Sequence, residues 1–477
     1  MASQALLDRL RRVCRLGCAW LLLVSIATSG CASKVASVLP SLGPPTEDED
    51  AKIGKEFRRE AKNQLQFITD PEVERYFDRI GRQILGGMGP LAFDYRFFVV
   101  RDVQLNAFAV PGGSVYFYSG LIERAKNSSE IAGVLGHELV HIKARHMARM
   151  SGLDYISVLS MLGALLAARS GGGGAQAAGM VGQAVSATRQ IAYSRTLEME
   201  ADTLGVRYMA AAGYNPMGSV GFLKTLEQER ALNPIDIPSY MLTHPVTQER
   251  IANVELVIKS LPKTEPRRIQ SDPLKKIQTV IRFDRREDVA VIAEYEKLVK
   301  QDPENGEAQH LLGFAYLLKN RLPEAQSHLE IAQRLKGQDP ELQRDLGRLY
   351  TQTGDPSAAR AAFEKNLEND PRDALTYLYL GEMFEKSGDL RSAAGAFLNA
   401  QNIAPLWDKP PYRLSAVYGK LDRLGDAHYY LGKSFLLQDE DEKAAAEFER
   451  AVKIFGEDSP RSELIKEEIK TLRGRKR

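Results

Sequence analysis

Apolar positions along this chain follow three different rhythms. Ala51 to Leu85 keeps a helical period, and Asp70-Pro71-Glu72 opens a second helix inside it, an Asp cap followed by Pro at the first helical position. Phe93 to Val100 and Ser114 to Tyr118 are rich in aromatic and β-branched residues and read as strands, with Pro111-Gly112-Gly113 as a turn between the two regions. Asn127-Ser128-Ser129-Glu130 has the form of a capping box and opens a long helix from Ser129 to about Met150. A further helix runs from about Ile191 to Ala211. Between these two, Tyr155 to Thr188 is interrupted only by Arg169 and holds Gly171 to Gly174. Its apolar run Tyr155 to Ala168 is 14 residues, too short to cross a bilayer. It reads either as a glycine-hinged lid or hairpin, or as a buried helix with a loop.

The C-terminal third repeats. Gly313, Gly347 and Gly381 are 34 residues apart, and Gly432 follows after 51, one period and a half. Twelve residues after each glycine stands Ala325, Ala359, Ala393 or Ala444, and sixteen after each stands Leu329, Phe363, Phe397 or Phe448. Pro371 and Pro405 close two units at the same phase. This is the tetratricopeptide period, in which small residues let paired helices approach and a large one fills the gap. Asn366 replaces a later small residue, and an insertion of 17 residues around Trp407 to Gly425 is expected to break the array. Arg285 to Pro303 reads as one more helix. Such arrays form concave binding surfaces and carry no chemistry of their own.

Composition narrows the classes. The chain has 477 residues, 44% hydrophobic and 26% charged, as in an ordinary globular protein of about three domains. Its 64 Lys+Arg against 62 Asp+Glu leave a net charge of +2, with no global field to draw it to nucleic acid. The mean hydropathy of −0.30 excludes a multi-span membrane protein. The three cysteines, Cys14, Cys18 and Cys31, all lie near the start, so from Ala32 onward no thiol can hold a metal. Arg9, Arg11, Arg12 and Arg15 precede 13 uncharged, mostly apolar residues from Leu16 to Thr28, the pattern of an export signal and not of a buried amphipathic helix. Ala27-Thr28-Ser29-Gly30-Cys31 resembles a bacterial lipobox, with Thr28 departing from its usual aliphatic residue. The resemblance implies acylation of Cys31, and Ala32 after it implies transfer to the outer membrane. Lys34 to Asp50, with three prolines and the acidic run Glu47 to Asp50, reads as a tether.

The chemistry concentrates at His137-Glu138-Leu139-Val140-His141. Histidines at i and i+4 share one helix face and can reach one zinc ion, while Glu138, offset by one residue, stands where a general base belongs. Chance would place H-E-x-x-H in under about 1% of chains with this histidine content. The alternative, a solvated helix with two histidines, conflicts with the apolar Val134, Leu135, Leu139, Val140 and Ile142 around it. A third ligand is needed. On a continuing helix His146 would sit about 140° around from His141 and point away. Glu198 and Glu200 on the next helix are both candidates that spacing cannot separate, and a charged solvated face is the alternative to either. Asp202, at i+4 from Glu198, could orient a ligating histidine.

H-E-L-V-H followed 57 residues later by E-x-x-A-D resembles the zinc metallopeptidase family of the CAAX prenyl proteases and HtpX. The resemblance implies one Zn2+ per chain held by His137, His141 and Glu198, with Glu138 catalytic and Asp202 supporting. Asn106-Ala107-Phe108-Ala109-Val110-Pro111-Gly112-Gly113 resembles that family's strand and turn before the active helix, whose edge is thought to pair with substrate backbone. Exported members with tetratricopeptide repeats, the β-barrel assembly-enhancing proteases of the Gram-negative periplasm, are similar over nearly all of Ala51 to about Ile454. Thr243-His244-Pro245 and then Arg250 is similar to their segment after the ligand helix, which implies His244 as a fourth ligand and latch. The alternative is a histidine at a helix start before Pro245. Two departures stand out: the repeats hold no cysteine, and the chain carries an apparent lipid anchor.

The expected fold is therefore mostly α with a small β-sheet, an α+β zincin-like domain followed by an all-α repeat solenoid. The expected divisions are 1–30 signal, 31–50 anchored tether, 51–265 metalloprotease domain, 285–455 repeats and 456–477 a solvated tail. The expected activity is endopeptidase action on unfolded or stalled envelope proteins, with Tyr193 or Arg195 as candidates to steady the oxyanion. The β-barrel assembly machinery is an expected partner through the repeats, the membrane through the anchor, and nucleic acid is not. An assembly factor with a seldom-opened zinc site is the second reading. An integral-membrane prenyl protease is set aside because the chain lacks the spans it would need.

Overall fold

The computed structural model describes residues 45–149, 195–232, 238–262 and 272–474. The expected signal, Cys31, most of the tether, the lid at 155–188, Tyr193 and the last three basic residues lie outside the described residues. Thr46 caps α1 (Glu47–Gln64) through a reciprocal bond with Glu49, so the acidic run expected in a tether is instead the first turn of a helix. Four acidic side chains there also oppose the positive helix end. Asp70 and Pro71 open α2 (Pro71–Leu85).

The strands β1 (Arg96–Val100), β2 (Ala107–Val110) and β3 (Ser114–Tyr118) form one sheet in the order β1-β3-β2. β1 runs parallel to β3 and β2 antiparallel, with Phe108 opposite Tyr116. Gly112 and Gly113 make the β2–β3 turn at φ 81° and 101°, which side chains rarely tolerate. A Cβ on Gly112 would come 2.5 Å from the Asp50 carbonyl, so the turn rests directly on α1. The short α3 (Ser119–Arg124) leads to α4 (Ser128–Lys143), whose residues up to Ile142 are buried apart from Ser129. Asn127 caps it by accepting from the Glu130 amide. α4 stops at Ala144 and does not continue to Met150. Then come α5 (Arg195–Ala211), α6 (Met217–Leu232), α7 (Ser239–Thr243) and α8 (Gln248–Ser260). α5 packs along α4 where Gly136 meets Gly205, and a Cβ on Gly205 would lie 2.9 Å from the His137 amide nitrogen.

α9 (Leu274–Asp284), which no sequence signal marked, joins this domain to a helical stack. The stack contains α10 (Asp288–Gln301), α11 (Gly306–Leu318), α12 (Leu322–Lys336), α13 (Pro340–Thr353), α14 (Pro356–Asn369), α15 (Ala374–Lys386) and α16 (Leu390–Ile403). The repeat glycines do what their spacing implied. A Cβ on Gly347 or Gly381 would fall 2.5 Å from the ring of Phe363 or Phe397, and one on Gly313 2.7 Å from Leu329. The buried Asn366 fits because its amide donates to Pro340 O at 2.7 Å and its oxygen accepts from Thr376 at 2.9 Å. The insertion does not break the array. It supplies α17 (Lys409–Lys420), which packs between α16 and α18 (Leu424–Leu437), and α19 (Asp441–Phe455) continues the stack. Residues expected to be a frayed tail form α20 (Pro460–Gly474), held by buried Ile465, Ile469 and Leu472.

The solenoid closes back on the first domain. At the α18–α19 turn, Asp439 takes a two-pronged bond from Arg58, at 2.7 and 2.9 Å, and Asp441 pairs with Lys55 at 2.6 Å. Deeper in, the Glu72 carboxylate of α2 lies among Lys276, Arg344, Arg348 and the Tyr379 hydroxyl, at 3.1 to 3.3 Å. Burial alone would raise the Glu72 carboxyl, but Lys276, Arg344 and Arg348 bring it down to about 2. Its ionised form therefore stabilises the junction above the free glutamate value of about 4.3, and that stability drains away as pH falls toward the folded-state value. Glu72→Gln should lower the unfolding midpoint at neutral pH. The gap to the parent chain should narrow as pH drops through that window, read by thermal denaturation at a series of pH values.

Candidate metal centre

Four side chains from three stretches of chain meet beside α4. His137 and His141 lie one turn apart on its inner face, Glu198 comes from the first turn of α5, and His244 follows α7. All four are buried, and one nitrogen or oxygen from each lies within 4.8 Å of the others. His137 Nε2 stands 3.0 Å from His141 Nε2 and 3.3 Å from His244 Nδ1. Glu198 Oε1 lies 2.9 Å from His244 Nδ1 and 3.3 Å from His141 Nε2. The second carboxylate on that helix, Glu200, is not part of the group. It faces Arg149, with Nη1 2.9 and 3.1 Å from its two oxygens. Of the two carboxylates that spacing could not separate, Glu198 lies with the histidines and Glu200 lies against Arg149.

A surrounding set of groups aims these four. Asp202 Oδ1 accepts from His137 Nδ1 at 3.0 Å, which turns the Nε2 lone pair of a neutral ring inward. Arg250 clamps Asp202 with Nε at 2.7 Å and Nη2 at 2.8 Å, and its Nη1 lies 2.7 Å from Glu198 Oε2. The sequence motif included Arg250 but gave it no task. Its burial behind both carboxylates shows one, since an arginine fork can hold two acceptors at fixed angles. Tyr240 stacks on the His244 ring at 4.7 Å. Glu138 is buried, its Oε1 has no hydrogen-bond partner among the described residues, and His244 Nε2 is 3.6 Å off.

The electrostatics suit a cation. Burial would raise the Glu198 carboxyl, yet His244, His137 and Arg250 hold it well below the usual carboxylate range. Burial would likewise raise Asp202, and the hydrogen bonds from Arg250 and His137 bring it down. Burial drives His141 well below the ordinary imidazole value, toward the neutral ring that metals take. Burial also lowers His244, but facing Glu198 and Glu138 it ends above the usual value. Neutral imidazole lone pairs 3.0 Å apart repel unless a proton or metal ion sits between them. Three imidazole nitrogens and one carboxylate, with no thiol, form a donor set that fits a first-row divalent ion.

Other sequence candidates fall elsewhere. Arg195 is largely exposed and pairs with Glu249 at 3.2 Å. β2 lies at the sheet edge beside α4, with Ala107 and Ala109 in the core it shares with that helix and Phe108 in the layer under α1. Asn106, just before it, accepts from Tyr118 N at 3.0 Å. Gly112 packs on α1 and Gly113 against Asp94, so both glycines shape the turn and neither faces the histidines. His146 does not point away. The early stop of α4 and a left-handed Arg145, at φ 50°, bring its Nδ1 within 3.0 Å of His141 Nδ1.

A small sheet, a buried helix with two histidines one turn apart, and a carboxylate from the next helix define a metallopeptidase-type domain, here joined to a superhelical repeat. Residues 70–257, which hold the whole cluster, match the family model described as Peptidase family M48. Residues 344–405 match a Tetratricopeptide repeat model. The chain therefore carries an M48 peptidase domain followed by tetratricopeptide repeats. It is 32% identical over 214 residues to a putative beta-barrel assembly-enhancing protease of Vibrio cholerae, covering 44% of each chain. It is 30% identical over 232 residues to the beta-barrel assembly-enhancing protease of Escherichia coli, covering 46% of each. Similarity extends to the mitochondrial metalloendopeptidase OMA1 of Schizosaccharomyces pombe, 26% identical over 41% of this chain and 56% of that one. The chain thus spans under half the length of the bacterial relatives it matches.

Replacing Asp202 with Asn keeps the shape but removes the charge behind His137. Divalent-ion affinity should fall by about 10- to 100-fold in a chelator competition. Unchanged affinity would mean that Asp202 serves packing alone.

Proposed function

We propose that this chain is a zinc-dependent endopeptidase of the bacterial periplasm that degrades misfolded or stalled envelope proteins. The observation that carries the reading is the buried Glu138 carboxylate, its Oε1 unpartnered, beside the four-residue donor set. His137, His141 and Glu198 would hold one zinc ion per chain. Bound there, zinc supplies Lewis acidity, lowering the pKa of a water and polarising a scissile carbonyl. Glu138 takes the proton of the attacking water and hands it to the leaving amine. Asp202 and Arg250 keep His137 and Glu198 aimed while this happens. β2 offers an extended polypeptide a strand edge to join, which favours unfolded or stalled chains over folded ones.

The repeats bring clients to this site. The bacterial relatives' names refer to β-barrel assembly, which supports outer-membrane β-barrel proteins as clients and their assembly machinery as a partner. Acylation at Cys31 would keep the enzyme at the outer membrane. No helix among the described residues is long and apolar enough to cross a membrane.

A second reading, an assembly factor whose zinc site seldom opens, gains support from His244. Its ring is one of the four clustered donors and lies 3.6 Å from Glu138. The two readings join if His244 is a latch that substrate displaces.

Casein digestion by the zinc-loaded mature chain separates them. Glu138→Gln should reduce cleavage by about 10²- to 10⁴-fold with zinc still bound. His244→Ala should raise cleavage if the latch is real. Cleavage that survives Glu138→Gln contradicts the peptidase assignment, and no gain from His244→Ala contradicts the latch.

A further inference from the structure

We propose that His146 is a positioning residue of the metal centre: it fixes the tautomer and ring orientation of His141, and Glu200 in turn fixes His146. This inference rests on the reading that His141 binds metal, and adds how that ligand is aimed. His137 has its carboxylate, Asp202, directly behind it. The outer nitrogen of His141 is met instead by another histidine. What stands there is His146, fully buried, with its Nδ1 3.0 Å from His141 Nδ1.

Two imidazole nitrogens at that distance make a hydrogen bond only if one carries the proton and the other does not. The inner nitrogen of His141, Nε2, faces His137 Nε2 at 3.0 Å and Glu198 Oε1 at 3.3 Å. For its lone pair to be available there, the proton of the neutral ring must sit on Nδ1. His141 then donates to His146 Nδ1, and His146 carries its own proton on Nε2. That nitrogen is buried without a hydrogen-bond partner, and the group facing it is Glu200 Oε2 at 3.5 Å. Arg149 holds Glu200 from the far side. His146 thus stands to His141 as Asp202 stands to His137, with the Glu200 carboxylate facing its far nitrogen at ion-pair distance.

The backbone is bent to build this. α4 ends at Ala144, and Arg145 adopts a left-handed conformation uncommon outside glycine. Arg145 is held there by the buried Asp50 of α1, 2.8 Å from its Nε, and by Pro45 O. His146 N then donates to the His141 carbonyl at 3.0 Å, which tucks the ring back under the ligand it serves. A helix continuing past Lys143 would have carried His146 away.

The test measures zinc affinity of the full mature chain by chelator competition. His146→Leu, which cannot accept a hydrogen bond, should weaken binding by about 10- to 100-fold. His146→Gln, whose amide oxygen can accept from His141 Nδ1–H, should recover most of the loss. Nitrogen-15 spectra of the zinc-loaded parent chain should show the His141 ring metal-bound at Nε2 and protonated at Nδ1. That measurement decides the matter even if His146→Leu fails to fold. Parent-like affinity in His146→Leu, or coordination of His141 through Nδ1, overturns the proposal while leaving the metal site intact. A parent chain that takes up no zinc overturns the metal reading itself.

Discussion

The inner nitrogens of His137 and His141 stand 3.0 Å apart in a buried space, and a third imidazole and a carboxylate share it. Burying four such groups together is costly unless a cation or a fixed set of protons compensates them. The local architecture can be read as the answer to that requirement. Arg250 spans the Glu198 and Asp202 carboxylates, Asp202 orders His137, and Tyr240 covers His244. Among the described residues nothing donates a hydrogen bond to Glu138 Oε1, which is the condition a proton acceptor needs.

Holding the groups together also constrains the backbone. α4 and α5 approach through Gly136 and Gly205, where no side chain could fit without pushing the helices apart. That contact lies one residue from His137 and seven from Glu198, so the spacing between the helices that carry these two side chains is set by glycine. The opposite end of α4 is fixed by α1 through Asp50 and Arg145. α1 is itself held by the solenoid through Arg58 and Asp439. The repeats and the metal centre are thus linked by a continuous series of packed and ion-paired contacts, and α2 adds a second link at Glu72.

Much of this was legible in the sequence because short-range periodicity carries it. H-E-x-x-H places two histidines on one helix face whatever the rest of the chain does, and the 34-residue repeat fixes Gly381 against Phe397. The failures share a cause. Where α4 stops depends on Arg145 finding Asp50, 95 residues away, and no local pattern encodes that meeting. Glu198 and Glu200 differ only in which side of α5 meets α4, a tertiary fact. The insertion around Trp407 looked like an interruption because it is half a period long, and half a period is one helix, which the stack absorbs as α17. The tail, expected to be solvated, holds its own helical period at Ile465, Ile469 and Leu472, and those three side chains bury it against the stack.

The decisive measurement is X-ray absorption at the zinc edge on the protein loaded with one equivalent of zinc. A site built from His137, His141 and Glu198 should hold zinc tightly with nitrogen and oxygen donors only, and give outer-shell scattering from more than one imidazole. Zinc that washes out on dialysis, or a first shell of water oxygens without imidazole scattering, would contradict it.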